Sequence, residues 1–156
     1  MTVQSKGIST ERRTFLNTAF EACLEAANSQ DITTILDTYA EGGCLNFNGV
    51  IYDTPVKLAA FHLGFGSTNK GMLTDLERII VNKSFTHDSV IIESRLKCTV
   101  EIPAGSAARR TEMRSYVIYQ FDAKGKLISE RSVNDTGALL PNVVVPRLDS
   151  NWSKDD

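Results

Sequence analysis

The sequence lacks the features that mark membrane, secreted and nucleic-acid-binding proteins. Its 156 residues contain no apolar run near the roughly 18 residues of a membrane span, and the N-terminus has no apolar signal-peptide core. Three widely spaced cysteines favour neither a disulfide framework nor a metal knuckle. The net charge of −2 attracts neither nucleic acid nor an anionic membrane. We therefore expect a cytoplasmic protein without nucleic-acid or membrane partners.

Motifs of several enzyme classes are also missing. The sequence has no G-x-S-x-G, no H-E-x-x-H and no cluster of cysteine and histidine, which argues against a serine hydrolase and a zinc enzyme. The stretch GFGSTNKG lacks the Gly-Lys-Ser/Thr ending of a phosphate-binding loop and follows a predicted helix rather than a strand. We interpret this stretch as a connector and expect no metal site.

The hydrophobic periodicity predicts a single α+β domain that spans residues 1–156. Apolar residues recur every three or four positions after Ser9 and Thr10, which predicts a first helix, and Asp31 caps a shorter second helix. Gly42 and Gly43 end that second helix, and residues 55–63 form a third. Five strands are predicted at residues 44–48, 76–85, 89–102, 111–121 and 126–134, between a flexible segment at 1–8 and an extended tail at 141–156.

The strand at residues 89–102 has the clearest alternation of apolar and polar side chains. One face is apolar and the other is charged, which is typical of a half-buried antiparallel strand: Val90, Ile92, Leu96, Cys98 and Val100 against Glu93, Arg95, Lys97 and Glu101. Helices followed by such strands indicate three helices packed on one face of a curved antiparallel sheet. The mouth of the resulting cone is a natural site for a small molecule.

The last predicted strand is polar on both faces, which a purely structural strand would not be. It carries Glu130, Arg131, Ser132 and Asn134, and Asp135 follows directly. Either this strand lies at a sheet edge in water, or one of its faces lines a polar pocket.

Two stretches carry a resemblance to a known group of proteins. LDTYAEGGCLNFNG, in and after the second predicted helix, and YQFDAKGKLISERSVND, at the end of the sheet, resemble the SnoaL-like branch of the NTF2-like superfamily. That group includes polyketide cyclases, ketosteroid isomerase and limonene epoxide hydrolase. The resemblance, over roughly residues 10–140, implies a cone-shaped pocket, acid–base chemistry without a metal or other cofactor, and frequent dimers.

The reactive residues of two relatives do not carry over. The position of the general base of ketosteroid isomerase falls on Phe47, that of its oxyanion tyrosine on Cys23, and that of its protonated aspartate on Val117. The Tyr-x-Asn pair of the epoxide hydrolase becomes Leu45 and Phe47. The resemblance therefore argues against both of these reactions.

The resemblance also implies which residues of the last two strands face the pocket. On the last strand the inward residues are Ile128, Glu130, Ser132 and Asn134, and on the strand before it they are Met113, Ser115, Val117, Tyr119 and Phe121. Glu130 is the only ionisable residue of the inward set on the last strand. Burial would raise the pKa of its carboxyl and suit it to general acid–base catalysis. A register slipped by one residue would instead turn Glu130 to solvent or to a dimer partner.

Three residues are candidates for catalysis. Besides Glu130, Asp135 matches a terminal aspartate of the family, although it can equally bind backbone amides of the turn that follows. His62 ends the third helix, where an imidazolium also suits the helix C-terminus.

The remaining candidates would bind substrate. Asn134 would donate to a substrate carbonyl or else cap the strand end, and Tyr39 would be a structural hydroxyl of the second helix. The other expected contacts are polar or apolar walls of the pocket: Ser115, Tyr119, Ser132, Phe47, Phe61, Val117 and Phe121.

These residues predict a cofactor-independent isomerase, cyclase or lyase. Its substrate would be a hydrophobic oxygenated natural-product intermediate, such as a polyketide or a terpenoid. The alternative is a non-catalytic ligand-binding or dimerisation module, which the same fold supports. Mixed charge with Tyr116 and Ile118 on the outward sheet face predicts a homodimer through that face. The apolar residues 143–145 predict that the tail packs on its own sheet or on a partner.

Overall fold

The computed structural model describes residues 7–65, 73–102 and 105–139. They form an α+β structure, as the sequence predicts. Its elements, in chain order, are α1 (Thr10–Ser29), α2 (Ile32–Leu36), β1 (Tyr39–Phe47), β2 (Val50–Tyr52), α3 (Pro55–Phe65), β3 (Leu73–Phe85), β4 (Ser89–Val100), β5 (Arg109–Phe121), β6 (Leu127–Asn134) and a 3-10 turn (Thr136–Leu139). None of the helices in these residues is long and apolar enough to cross a membrane. Most of the predicted flexible N-terminus, and all of the predicted tail, lie outside the described residues.

Helix α1 begins where Ser9 and Thr10 predict and ends in a left-handed residue. The Ser9 side chain accepts a hydrogen bond from the Arg12 backbone N–H (3.1 Å), which satisfies one of the free amides of the first turn. At the other end Gln30 takes a left-handed conformation with φ of 57°. The face that α1 turns to the sheet buries Leu16, Ala19, Phe20 and Ala26.

Helix α2 is shorter than predicted, and this moves Tyr39 into the sheet. Asp31 caps the helix by accepting from the Thr34 backbone N–H (2.8 Å), but the helix ends at Leu36 rather than at Gly42. Four of its five residues are Ile or Thr in succession at positions 32–35, and β-branched side chains favour helices poorly. Only α1 and α3 are therefore long helices, and β1 and β2 separate α3 from the first two.

The sheet has six strands in the order β2-β1-β6-β5-β4-β3. Strand β1 runs parallel to β6, whereas all other neighbours are antiparallel, so the expectation of a purely antiparallel sheet was wrong. The hairpin between β1 and β2 was missed altogether. Its turn is Asn48-Gly49, where both residues have positive φ (49° and 90°), and Asn-Gly is the strongest short hairpin signal.

The main core lies between α1 and the inner face of the sheet. Alternate residues of β4 are buried, as predicted, and pack with the apolar face of α1 and with β5. Phe20 contacts the ring of Tyr119 edge to face, with 5.2 Å between centroids. All three cysteines are free thiols, and Cys98 is fully buried.

Candidate active site

A cavity of about 100 Å³ lies between the helices and the inner face of the sheet. Its lining comes from all three helices and from every strand except β2. Most of the lining is apolar, including Phe47, Phe61, Phe65, Leu73, Leu96, Met113 and Val117. The polar part consists of Thr38, Tyr39, His62, Arg78, Ser115, Tyr119, Glu130, Ser132 and Asn134.

A contact between three side chains from β1, α3 and β6 forms the polar centre of the cavity. The Tyr39 hydroxyl donates a hydrogen bond to Glu130 Oε2 at 2.9 Å. The same hydroxyl oxygen lies 3.3 Å from Nε2 of His62. The parallel pairing of β1 with β6 places Tyr39 beside Leu127, and a register shift after Tyr39 separates it from the regular pairing that resumes at Cys44.

Burial shifts the pKa of each of these three groups in the direction that favours its neutral form. It raises the pKa of Glu130, an effect that the hydrogen bond from Tyr39 and the charge of Arg78 oppose. Burial and the nearby Glu130 charge raise the pKa of Tyr39. Burial lowers the pKa of His62 to about 4, so its imidazole is neutral at physiological pH. The site therefore combines a carboxyl of raised pKa with two neutral hydrogen-bonding groups.

The single proton of the Tyr39 hydroxyl links the states of its two neighbours. When this proton is donated to ionised Glu130, His62 can bond to the hydroxyl oxygen only by donating a proton from Nε2. When Glu130 is protonated, it can donate to Tyr39, and Tyr39 can donate to an unprotonated Nε2. Proton uptake by Glu130 reverses the Tyr39–Glu130 bond, and the Tyr39–His62 bond reverses with it if His62 changes from the tautomer protonated at Nε2 to the one protonated at Nδ1.

Asn134 and Ser132 form a second polar group on the cavity wall. Both side chains are buried, and the Asn134 amide N–H donates to Ser132 Oγ. Asn48 fixes the end of the strand, because its side chain bonds the backbone carbonyl and the backbone N–H of Asn134 (3.0 and 2.7 Å). The strand end is therefore held by the side chain of Asn48 and not by that of Asn134, which lines the cavity and bonds Ser132.

Comparisons with known proteins identify the fold. No protein-family model and no curated protein matches this chain, but many solved structures do. One is described as a SnoaL-like polyketide cyclase from Jannaschia sp. (13% identity, TM-score 0.66, covering 81% of this chain and 92% of that one). Another is an LEH-like epoxide hydrolase from M. tuberculosis (16% identity, TM-score 0.61, covering 81% and 86%). A third is a ketosteroid isomerase-like protein from Erwinia carotovora atroseptica (19% identity, TM-score 0.58, covering 81% and 98%).

This chain has the NTF2-like fold. The resemblance read from the sequence is thereby confirmed at the level of the fold. Cys23, Phe47 and Val117, which the sequence resemblance predicts at the reactive positions of ketosteroid isomerase, all line the cavity. The polar centre of this NTF2-like cavity is instead built from Tyr39, His62 and Glu130.

The structure corrects three expectations about the wall of the NTF2-like cavity. Asp135 is exposed and outside it, because side chains alternate along the chain and Asn134 faces inward. Ile128 is 41% exposed, because a register shift between β5 and β6 turns Leu127 inward instead. Phe121 is buried in the core against α1 and does not line the cavity.

The other predicted residues lie on the cavity wall. Glu130, His62, Tyr39, Asn134, Ser132, Ser115, Tyr119, Phe47, Phe61 and Val117 all line it. Tyr39 does so from β1 rather than from the second helix. Within residues 7–65, 73–102 and 105–139, no group of three or more histidine, cysteine or carboxylate side chains is arranged to hold a metal ion.

Sequence reasoning missed Phe65 and Arg78, which both line the cavity. The ring of Phe65 packs against those of Phe47 and Phe61, with centroids 4.6 and 5.3 Å apart. Phe61 and Phe65 are four positions apart, and this helical spacing of apolar residues is the signal that could have extended the predicted third helix beyond Leu63. Arg78 reaches the cavity from β3 and donates from Nη1 to Ser94 Oγ at 3.1 Å. Two register shifts interrupt β3, so simple alternation could not reveal which way Arg78 faces.

Proposed function

We propose that this chain is a cofactor-independent acid–base enzyme, an isomerase, cyclase or lyase that acts on a hydrophobic oxygenated small molecule. The observation that carries the proposal is the contact of Tyr39 with both Glu130 and His62 inside a mostly apolar cavity. Perturbed carboxyl groups that converge with hydrogen-bonding partners in a cleft are typical of catalytic sites. A polyketide or terpenoid intermediate is the substrate class we favour, and the solved relative described as a polyketide cyclase supports it.

In this proposal Glu130 moves the proton. Its raised pKa lies closer to neutral pH than that of an exposed carboxyl, which favours both uptake and release of a proton. Tyr39 holds the carboxyl in place and His62 orients the tyrosine hydroxyl, so both act as positioning residues. Ser115, Tyr119, Ser132 and Asn134 offer hydrogen bonds to substrate oxygen atoms, and the phenylalanines of the wall bind its hydrocarbon part.

Proton exchange at carbon tests this proposal without knowledge of the natural substrate. Cyclohex-3-enone has acidic protons between its carbonyl and its double bond, and their removal allows isomerisation to the conjugated enone. The ketone is a probe of proton transfer by Glu130 and not the expected natural substrate, because the reactive groups of ketosteroid isomerase do not carry over to this chain. We expect the protein to accelerate both deuterium incorporation in D2O and this isomerisation above the buffer rate, as followed by NMR. Saturable binding of the ketone without any acceleration would contradict catalysis and favour a non-catalytic ligand-binding module.

We also propose that the chain forms a homodimer through the outer face of the sheet. That face exposes Tyr116 (46%), Ile118 (39%) and Val133 (61%) next to an Arg95–Glu112 ion pair of 3.5 Å. Apolar side chains within a polar surround are typical of the centre of a protein interface. Sedimentation at tens of micromolar should show a dimer, and Tyr116→Lys should shift it towards monomer.

The control for the dimer is Val56→Lys on α3, which is more exposed (79%) but lies away from the sheet face. It should leave the dimer intact. A monomeric wild-type protein, or a dimer that only Val56→Lys disrupts, would contradict this interface.

A further inference from the structure

Arg78 brings a positive charge into the cavity. It lies on β3, whereas Glu130 lies on β6, and β4 and β5 separate these strands in the sheet. Neighbouring strands are about 4.8 Å apart, so the two backbones are separated by roughly 14 Å. Both side chains nevertheless line the same cavity, which places a cation and a carboxyl on different parts of its wall.

Each of these two ionisable groups bonds to a neutral side chain and not to the other group. Arg78 donates to Ser94 Oγ at 3.1 Å, and Glu130 accepts from Tyr39 at 2.9 Å. Among the ion pairs of the described residues, none joins Arg78 to Glu130. The charge of Arg78 still reaches across the cavity, because it lowers the pKa values of both Glu130 and Tyr119 against the effect of burial.

The hydrogen-bonding capacity of Arg78 exceeds what the described residues use. A guanidinium has five N–H donors in a planar fork that matches the two oxygens of a carboxylate. Ser94 is a single neutral acceptor and is itself almost fully buried (1% exposed), so it can hold the guanidinium in one orientation. Hydrogen bonds between a guanidinium and a carboxylate are charge-assisted and are stronger than a bond to a neutral acceptor such as Ser94.

The charge balance of the lining points to the same kind of ligand. Among the described lining residues, Arg78 is the one arginine or lysine and Glu130 the one carboxylic acid. His62 is neutral at physiological pH and burial raises the pKa of Glu130, so whenever Glu130 holds its proton the lining carries a net charge of +1 from Arg78. A single negative charge on the ligand would neutralise it.

We propose that Arg78 binds a carboxylate of the substrate, so that the substrate is a hydrophobic carboxylic acid whose reacting carbon lies between Arg78 and Glu130. This deepens the proposed function and rests on it for the assignment of the cavity to the substrate. Arg78 then determines specificity and orientation, whereas Glu130 transfers the proton. The apolar wall of Phe47, Phe61 and Phe65 receives the hydrocarbon part.

Binding of a matched pair of probes tests this inference without turnover. Phenylacetate and phenylacetamide have nearly the same shape, but only the first is charged at neutral pH. By titration calorimetry the wild-type protein should bind phenylacetate about 10–100-fold more tightly, the range expected for hydrogen bonds to a charged group. Arg78→Met should remove this preference, while Arg78→Lys, which keeps the charge without the fork, should retain part of it.

Two further variants separate a direct role from a loss of folding. Arg95→Met removes an arginine from the outer face of neighbouring β4 and should leave the preference unchanged. Ser94→Ala leaves the guanidinium without its orienting acceptor and should weaken phenylacetate binding less than Arg78→Met does. Each variant is compared only if its circular dichroism spectrum and melting transition are those of a folded protein. If Arg78→Met does not fold, Arg78→Lys takes its place in the comparison.

Three results would overturn the inference. The first is equal binding of phenylacetate and phenylacetamide by the wild-type protein. The second is a preference for phenylacetate that survives in Arg78→Met, or that is unchanged in both Arg78→Lys and Ser94→Ala. The third is no binding of phenylacetate at millimolar concentration. If the wild-type protein catalyses proton exchange but shows no preference for the carboxylate probe, only the proposed role of Arg78 is refuted. Carboxylate binding through Arg78 without proton exchange would refute catalysis and leave the carboxylate site in place.

Discussion

Glu130→Gln should lower kcat for ketone isomerisation about 10²–10⁴-fold, the usual contribution of general acid–base catalysis. Glutamine keeps the size of the side chain and can still accept a hydrogen bond from Tyr39, but it has no proton to exchange. KM should change little, because the apolar walls that bind the substrate are untouched. The measurement is the initial rate of cyclohex-3-enone isomerisation at several pH values, and the pH dependence due to Glu130 should disappear with the activity.

The same variant should be as stable as the wild type or more stable at neutral pH. The pKa of Glu130 is raised in the folded protein, so the folded state binds its proton more tightly than the unfolded state does. This contribution to stability is complete below the unfolded value of 4.5 and is lost as the pH rises through the folded pKa. Glutamine has no such loss, and chemical denaturation at pH 7 and at pH 4 measures the difference.

Asp135→Asn is the matched control for Glu130→Gln. Asp135 is exposed and outside the cavity, so its replacement should leave both kcat and the melting temperature almost unchanged. Full activity in Glu130→Gln together with an inactive Asp135→Asn would move the base to Asp135. It would also show that the register of β6 differs from the one described above.

The second large effect that we expect is a loss of stability in acid caused by His62. The pKa of its imidazole falls from 6.5 to about 4 on folding, because burial disfavours the charged form. Between these values the unfolded chain binds a proton at this site and the folded chain does not. The contribution of His62 to stability is therefore complete above pH 6.5 and is lost as the pH falls towards 4.

The size of this loss is measurable by comparison with His62→Gln. Each unit of pKa shift corresponds to about 1.4 kcal/mol, so the wild type should lose about 3 kcal/mol more than the variant between neutral pH and pH 4. Glutamine keeps an N–H donor for Tyr39 without titrating. His87→Gln, in the exposed turn before β4, should behave like the wild type. Identical pH dependence of the wild type and His62→Gln would show that His62 is not buried as described.

Local patterns in the sequence were enough to determine the fold class and most of its elements. The caps Ser9 and Asp31 place the starts of α1 and α2, and Pro55 places the start of α3. Alternation along β4 identifies its buried face, and alternation from Glu130 onward identifies the residues of β6 that line the cavity. These signals are readable because capping and side-chain direction depend on residues only a few positions apart.

Only the tertiary structure decided how the site is assembled. Tyr39 meets Glu130 because β1 pairs in parallel with β6, across 91 positions of sequence, and no local pattern encodes that pairing. Register shifts in β3 and at the end of β5 change which side chains face inward, which hid Arg78 and misplaced Ile128. A single extra residue in one strand reverses the alternation after it, and its position depends on the partner strand rather than on the neighbours in sequence.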